Sequence, residues 1–380
     1  GLNATSNDLP TGTVTFYDGS NAIGTSSLIA GNATLAISNL SVGSHSLTAI
    51  YSGDVNYFPS TSNVLAQTVN KGNTSTTLTS STNPSVFGNS TTLTATIAVT
   101  SGSGTVTGTV SFRDGATVIG TAPVTGGVAT LPISNLAVGS HSLTAIYSGD
   151  TNFNTSTSNT VLQTVNQGTT TTTIASSANP SMYGQSITLT ANVTVATGAG
   201  TLTGNVTFLD GTTVLGTTTL TAGTATLALD NLSVGTHNLT ARYNGNTNFQ
   251  ISTSSNLVQV VDKATPVVTV SSASNPSAYG SEIVFTSLVS APTSIGLPTG
   301  TVTFYDGSTI IGTGDLSTTG ANTGTATFTT RLLNGGAHTI TAVYGGDSNF
   351  VTVTSSPLNQ TVNKANTTTT IFSNSSNPSE

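Results

Sequence analysis

From Ile187 to Val195 the chain alternates strictly. Ile187, Leu189, Ala191, Val193 and Val195 are apolar, and Thr188, Thr190, Asn192 and Thr194 between them are polar. Successive side chains of a strand point to opposite faces, so this pattern predicts a strand packed on one side only. Val206 and Phe208 continue it in the next strand, which Asp210–Gly211 closes. Asp-Gly between apolar runs is a strong hairpin signal, because glycine accepts the positive φ of a tight turn. Further on, Leu143, Ala145 and Tyr147 are expected to face inward, with Ser142, Thr144 and Ile146 outward. The matching outward position elsewhere is Ile50, Arg242 and Val343, and an arginine there supports the assignment.

These strands recur. The phrase Gly12–Thr13–Val14–Thr15–Phe16–Tyr17–Asp18–Gly19 returns at Gly108, Gly204 and Gly300, and its Asp-Gly pairs begin at 18, 114, 210 and 306, a constant step of 96. A second phrase, Gly43–Ser44–His45–Ser46–Leu47–Thr48–Ala49–Ile50–Tyr51, returns at Gly139, Gly235 and Gly336. Its last step is 101, so the fourth copy carries five extra residues, around Leu316–Gly320. Asn-Pro-Ser recurs at Asn83, Asn179, Asn275 and Asn377. A period near 100 residues is too long for a solenoid unit and is the size of one sandwich domain, with about seven strands. The expected fold is all-β: tandem immunoglobulin-like β-sandwich domains in an extended rod.

The expected domains are residues 1–70, 71–166, 167–262 and 263–363, with 364–380 opening a further one. The junctions, Asn70–Lys71–Gly72, Asn166–Gln167–Gly168, Asp262–Lys263–Ala264 and Asn363–Lys364–Ala365, contain no flexible spacer. At ~3.3 Å per residue a strand of 10–12 residues gives roughly 35–40 Å per domain. Gly1 aligns with Ile97, so residues 1–70 are expected to lack the opening strands of a sandwich. Two explanations stand: a window from a longer chain, or strand donation, in which the C-terminal strand of one subunit completes the broken domain of the next.

Composition narrows the function. Charged residues are 5% of the chain, and 13 acids against 6 bases give a formal charge of −7, which argues against nucleic acid and anionic lipid as partners. No apolar run approaches the ~20 residues of a membrane span. Absence of cysteine fits an exported protein that needs no oxidising machinery.

The paired phrases Gly-Thr-Val-Thr-Phe-Tyr-Asp-Gly and Val-Gly-Ser-His-Ser-Leu-Thr-Ala-Ile-Tyr-Ser-Gly-Asp, spread over essentially the whole chain, resemble the bacterial Ig-like repeat family of the group-3 type. The resemblance implies a large secreted or cell-surface protein in which such domains serve as spacer, stalk or adhesin shaft. It implies no catalytic residues.

Site candidates are few. His45, His141, His237 and His338 occur once per copy without a second His or any Cys, and are expected to be structural, a ring nitrogen bonding a loop carbonyl. Tyr51, Tyr147, Tyr243 and Tyr344 end the same strand and are expected in the core, each hydroxyl bonded to nearby backbone as in a tyrosine corner. Asp54, Asp150 and Asp347, each two residues before an Asn, are the candidates for Ca²⁺; Asx-turn chemistry explains them equally, and the third copy has Asn246 instead. Gln67, Gln163, Gln259 and Gln360 are expected as buried amides. An intramolecular Lys–Asn crosslink needs a buried lysine, whereas Lys71, Lys263 and Lys364 fall at joints. Thirteen Asn-x-Ser/Thr sequons run from Asn3 to Asn374, and Asn192, Asn238 and Asn366 are the best-placed acceptors of N-glycans.

No nucleophile–base or paired-carboxylate arrangement recurs, so the expectation is a non-enzymatic structural protein of the cell surface or extracellular space with no cofactor. The candidate partners are a further copy of itself, joined end to end by strand donation, and a glycan or surface protein. The alternative is an adhesin that binds glycan or a host protein through its loops.

Overall fold

The computed structural model describes residues 9–292 and 296–372. The sequons at Asn3 and Asn374 and the Asn-Pro-Ser at Asn377 lie outside them. The described residues contain strands and turns and no helix. The chain divides after Gly168 into two units.

In the first unit, the second copy is a complete two-sheet sandwich. One sheet runs Thr117–Pro123, Thr109–Asp114, Gly139–Tyr147, Val161–Asn166 and Ser85–Val86, with Ser156–Thr157 also on Gly139–Tyr147. The other runs Val128–Ile133, Thr91–Val99 and Thr74–Ser80. Seven of these nine strands have six or more residues, and the other two are two-residue stitches. All pairs are antiparallel except Ser85–Val86, which lies parallel to Val161–Asn166. Leu93, Val110, Phe112, Leu143 and Tyr147 are fully buried between the sheets, while the threonines that alternate with them face outward.

The first copy differs. Its described strands, Thr13–Asp18, Asn21–Ser27, Gly43–Tyr51, Ser60–Thr61 and Leu65–Val69, form a single five-stranded sheet. Phe16 and Leu47 are only partly buried, whereas their counterparts Phe112 and Leu143 are sealed.

In the second unit, the third copy repeats the six- and three-stranded sheets, and Ile187–Val195 is the central strand of the smaller one, alternating as expected. In the fourth copy the inserted residues add a short strand, Ser317–Thr318, paired with Thr323–Thr330, so the smaller sheet has four strands. Residues 364–372, expected to begin an opening strand, have no ladder and are exposed. The equivalent Thr74–Ser80 pairs with Thr91–Val99, and no described residue offers the tail such a partner.

Each hairpin after an Asp-Gly turn carries a glycine at its register shift. At Gly120 a Cβ would lie 2.6 Å from Leu131 Cδ2, and at Gly216 it would lie 2.9 Å from Leu227 Cδ1. The bare backbone at these points makes room for a large side chain from the opposite sheet.

Candidate functional site

Three polar clusters recur at equivalent places. The first joins the hairpin turn to the strand bearing the histidine. His45, His141, His237 and His338 place Nδ1 at 2.6, 2.7, 2.7 and 2.6 Å from Oδ2 of Asp18, Asp114, Asp210 and Asp306. Nε2 faces the carbonyls of Ser41, Ala137, Ser233 and Asn334 at 2.6–2.8 Å. A carbonyl only accepts, so Nε2 carries a proton, and the contact between Nδ1 and a carboxylate holds another. Two acceptors on one ring favour its protonated form. The Asp18 hydrogen bond, helped by the Ser41 carbonyl, raises the pKa of His45 above 6.5. Burial opposes the shift at His141 and His237, but the bonds to Asp114 and Asp210 and to the loop carbonyls outweigh it. The loop carbonyl was foreseen; the carboxylate partner was not, although Asp and His recur together in every copy.

The second cluster centres on Asp54, Asp150 and Asp347. Asp54 Oδ1 accepts the amides of Asn56 and Tyr57 at 2.8 Å, an Asx turn, and Oδ2 accepts the Thr11 amide at 2.7 Å and its hydroxyl at 2.9 Å. Asp150 repeats this with Asn152, Phe153 and Thr107, and Asp347 with Asn349, Phe350 and Thr299. Burial opposes ionisation of Asp150, yet the four donors hold its pKa down at about 2. Asn246 keeps the Asx turn through Oδ1 but reverses the other side, donating from Nδ2 to Thr203 Oγ1 at 3.0 Å. Each proposed calcium ligand thus already accepts four hydrogen bonds, and the described residues contain no group of three or more His, Asp or Glu arranged for a metal.

The tyrosines sit beside this cluster. Tyr51 Oη donates to Thr11 O and Tyr243 Oη to Thr203 O, both at 2.7 Å. The acceptor is a backbone carbonyl close in space, as expected, although it lies 40 residues upstream in the sequence. Tyr147 and Tyr344 are fully buried, their hydroxyls against Asp150 and Asp347 but outside good hydrogen-bond geometry. Burial, then the Asp150 carboxylate, pushes Tyr147 up to about 12.

The third cluster holds the start of a copy against its own loop. Gly72 N donates to Asn152 O and Asn154 N to Gly72 O, while Lys71 Nζ donates to Asp150 O. In the fourth copy Ala264 N donates to Asn349 O, Val351 N to Ala264 O and Lys263 Nζ to Asp347 O. From the third copy, Tyr183, whose amide bonds Asp262 O, sets its ring edge-on to Phe350 with centroids 5.8 Å apart. Neither the strapping of the lysine joints nor this aromatic contact was read from the sequence.

Gln163, Gln259 and Gln360 are fully buried amides bonded to backbone, Gln163 Nε2 to Thr82 O and Thr164 O. Gln67, expected to match them, is exposed, because no described strand covers that face of the first copy. Asn192, Asn238 and Asn366 are all exposed, the first two on outward strand positions.

Two-sheet sandwiches repeated in series, with polar clusters spent on holding loops and joints, define the class: a tandem array of immunoglobulin-like domains. The family model for the bacterial Ig-like domain (group 3) matches residues 2–70, 78–166, 172–262 and 269–363, and the chain belongs to that family. Such repeats are typically non-catalytic and typical of surface or extracellular proteins. No curated protein sequence matches the chain. Among solved structures it is similar to the fibronectin(III)-like modules of Clostridium thermocellum CbhA, at 18% identity over 49% of this chain and 94% of that one, TM-score 0.22. It is similar also to an ICAM-5 ectodomain fragment, at 14% identity over 76% of this chain and 77% of that one, TM-score 0.31. Among the described residues no helix is long and apolar enough to cross a membrane.

Proposed function

We propose that this chain is a stiff extracellular spacer, a stalk or filament segment that holds something away from a cell surface and catalyses nothing. The observation that carries the reading is the joint between the third and fourth copies. Only residues 263–266 separate the last strand of one copy from the first strand of the next, Lys263 and Ala264 among them are hydrogen-bonded to the 347–351 loop, and Tyr183 packs on Phe350. A joint with its backbone strapped and an aromatic wedge beside it resists bending, unlike a flexible linker. The outer strand faces, mostly threonine, present hydroxyls and few charges, which suits a hydrated surface outside the cell. Exposure of Asn192, Asn238 and Asn366 supports their modification by glycans, which intact-mass measurement of native material tests.

Small-angle scattering of the purified chain tests the spacer. Four units in line at roughly 35 Å each give a radius of gyration of about 40 Å, against about 21 Å for a compact chain of this length. A value near the lower figure ends the proposal. The adhesin reading draws on one feature, the loop of the first copy, where Val55 is 98% and Phe58 93% exposed. Binding of the chain to host cells or glycans that is lost in Phe58→Ser would favour it.

A further inference from the structure

We propose that Asn334–Gly335 is a self-modification site, where the main chain converts to an isoaspartate linkage with water as co-reactant and ammonia as by-product. The chemistry belongs to an asparagine or aspartate followed by glycine. The glycine nitrogen attacks the side-chain carbonyl carbon, the side-chain amide leaves as ammonia (from aspartate, as water), and a cyclic succinimide forms. Water then opens the ring at one of its carbonyls. Opening at the former side-chain carbonyl gives aspartate. Opening at the main-chain carbonyl gives isoaspartate, in which that carbonyl ends as a free carboxylate. A side chain on the attacking residue, above all a β-branched one, crowds the ring, and glycine has none.

Six pairs in the chain have the right residues, Asp-Gly at 18, 114, 210 and 306 and Asn-Gly at 244 and 334, and the fold holds all but the last. In the four Asp-Gly turns the carboxylate faces a histidine, and the glycine N–H donates to the carbonyl of Ser46, Ser142, Asn238 or Thr339. Asn244 is tied by its side chain, with Nδ2 donating to Thr207 Oγ1 at 3.1 Å and Oδ1 accepting from Arg242 Nε at 3.4 Å. Among the described residues, neither the Asn334 side chain nor the Gly335 N–H has a hydrogen-bond partner, and both residues are exposed. The space around Gly335 does not call for glycine. Its φ is not in the left-handed region, and the atom nearest to an added Cβ is Lys364 Cγ at 3.5 Å, an ordinary contact. The other copies have Val42, Val138 and Val234 there, after Ser41, Ala137 and Ser233, so the reactive pair belongs to the fourth copy alone.

His338 sets the product. Its Nε2 lies 2.8 Å from Asn334 O, and a carbonyl only accepts, so the ring donates to the main-chain carbonyl and polarises it. Water is steered to that carbon, which favours isoaspartate. The new carboxylate then faces a ring that Asp306 already holds from the other side. The link between Leu333, buried in the core, and the strand Gly336–Tyr344 gains a backbone atom, so the change loosens the fourth sandwich and leaves the others untouched.

Trypsin puts the two Asn-Gly pairs on separate peptides, cutting after Arg242 and Lys263 around Asn244 and after Arg331 and Lys364 around Asn334. The 380-residue chain is kept folded in mildly alkaline buffer, sampled over weeks and digested, and its peptides are separated and fragmented in a mass spectrometer. Conversion at Asn334 should run about tenfold or more ahead of Asn244 and of every Asp-Gly pair, whose hydrogen bonds must break first. It should stay close to the rate in the synthetic peptide Leu332–Ala337, which has no fold to restrain it. Gly335→Val, which installs the residue of the other copies, should slow it by about tenfold or more. The isoaspartate share should be higher in the chain than in the peptide, which lacks the histidine. Equal conversion at Asn244 and Asn334, a rate at Asn334 far below that of the peptide, or no effect of Gly335→Val would each overturn the site. An isoaspartate share no higher than the peptide's would overturn the role given to His338.

Discussion

His338 Nδ1 lies 2.6 Å from Asp306 Oδ2 although five inserted residues separate the two by 32 positions, where the other copies have 27. The insertion is absorbed in the Ser317–Thr318 hairpin, and the ion pair is unchanged. The contact thus belongs to the sheet, where Asp306 pairs with Ile340 two residues beyond the histidine, and not to the length of the connection.

Alkaline pH should weaken each sandwich. The folded-state pKa of His141 and His237 is raised above 6.5. A raised pKa means the proton is held more tightly in the folded state, so this stabilisation is complete below about 6.5 and is lost as pH climbs through the folded value. Melting temperature should fall from pH 6 to pH 9, and His141→Ala should flatten that dependence in the second copy. The substitution itself should cost roughly 1–2 kcal/mol, the low range of a charge-assisted bond to a partly solvated carboxylate. Calorimetry across that range checks it; a profile that stays level in the parent chain removes the imidazolium assignment.

Acid should act on a different residue and not equally in all copies. Asp150 is depressed to about 2, so its contribution is present above the ordinary carboxylate value of 3.8 and fades as pH falls through about 2. Asn246 cannot titrate, so the third copy should lose nothing at this locus between pH 4 and pH 2. Hydrogen exchange of the loop amides at Asn152 and Asn248, compared over that interval, distinguishes the two. Equal protection at both pH values in both loops would count against the account.

The strands and their inward faces were legible because alternation and burial obey the same period of two, and four copies read together fix the register. Tyr147 and Leu143 fall where the pattern put them. The polar clusters were half legible. His141 was read with a loop carbonyl because such a bond is local, four residues away, whereas Asp114 is brought to it by strand pairing 27 residues distant. Their joint recurrence in all copies was the available signal. Tyr183 against Phe350 had no such signal, since it joins different copies and Tyr183 reads as an ordinary loop residue. Gln67 was misjudged for the opposite reason: repetition implied burial, but burial needs the covering strand as well as the residue.

Filling the glycine at the hairpin shift should destabilise in proportion to what the new methyl meets. At Gly216 the methyl would meet Leu227 Cδ1 at 2.9 Å, the end of a flexible side chain, whereas at Gly312 it would meet the Phe328 ring at 2.0 Å. Gly216→Ala should cost about 1 kcal/mol and Gly312→Ala about 3 kcal/mol, the span of overpacking penalties. Phe328 is also stacked on Phe304, centroids 5.7 Å apart, so it cannot swing away freely. Denaturant titration of single variants orders them; a reversed order would mean that the fourth copy yields more readily than its rings suggest.

Stiffness at the joint should depend on Tyr183 more than on the lysine. Lys263 Nζ binds a single backbone carbonyl at an exposed site, and such a contact contributes little when water can replace it. Tyr183 packs against the core cluster that includes Phe350, and its ring covers Gly296, where even a Cβ would lie 2.7 Å from it. Removing that ring leaves the strap of Ala264 to Asn349 and Val351 intact but takes away the wedge that opposes rotation about it. With no native cysteine, spin labels placed through Asn192→Cys and Thr341→Cys report the third-to-fourth distance distribution without background. Tyr183→Ala should broaden that distribution severalfold, while Lys263→Ala should leave it near the parent width. Lys263→Ala should leave the melting of both sandwiches nearly unchanged, whereas Tyr183→Ala should cost the fourth copy about 1 kcal/mol or more, because its ring packs on that core. A distribution already broad in the parent chain would show that the aromatic contact does not restrain the joint, and the spacer reading would lose its support.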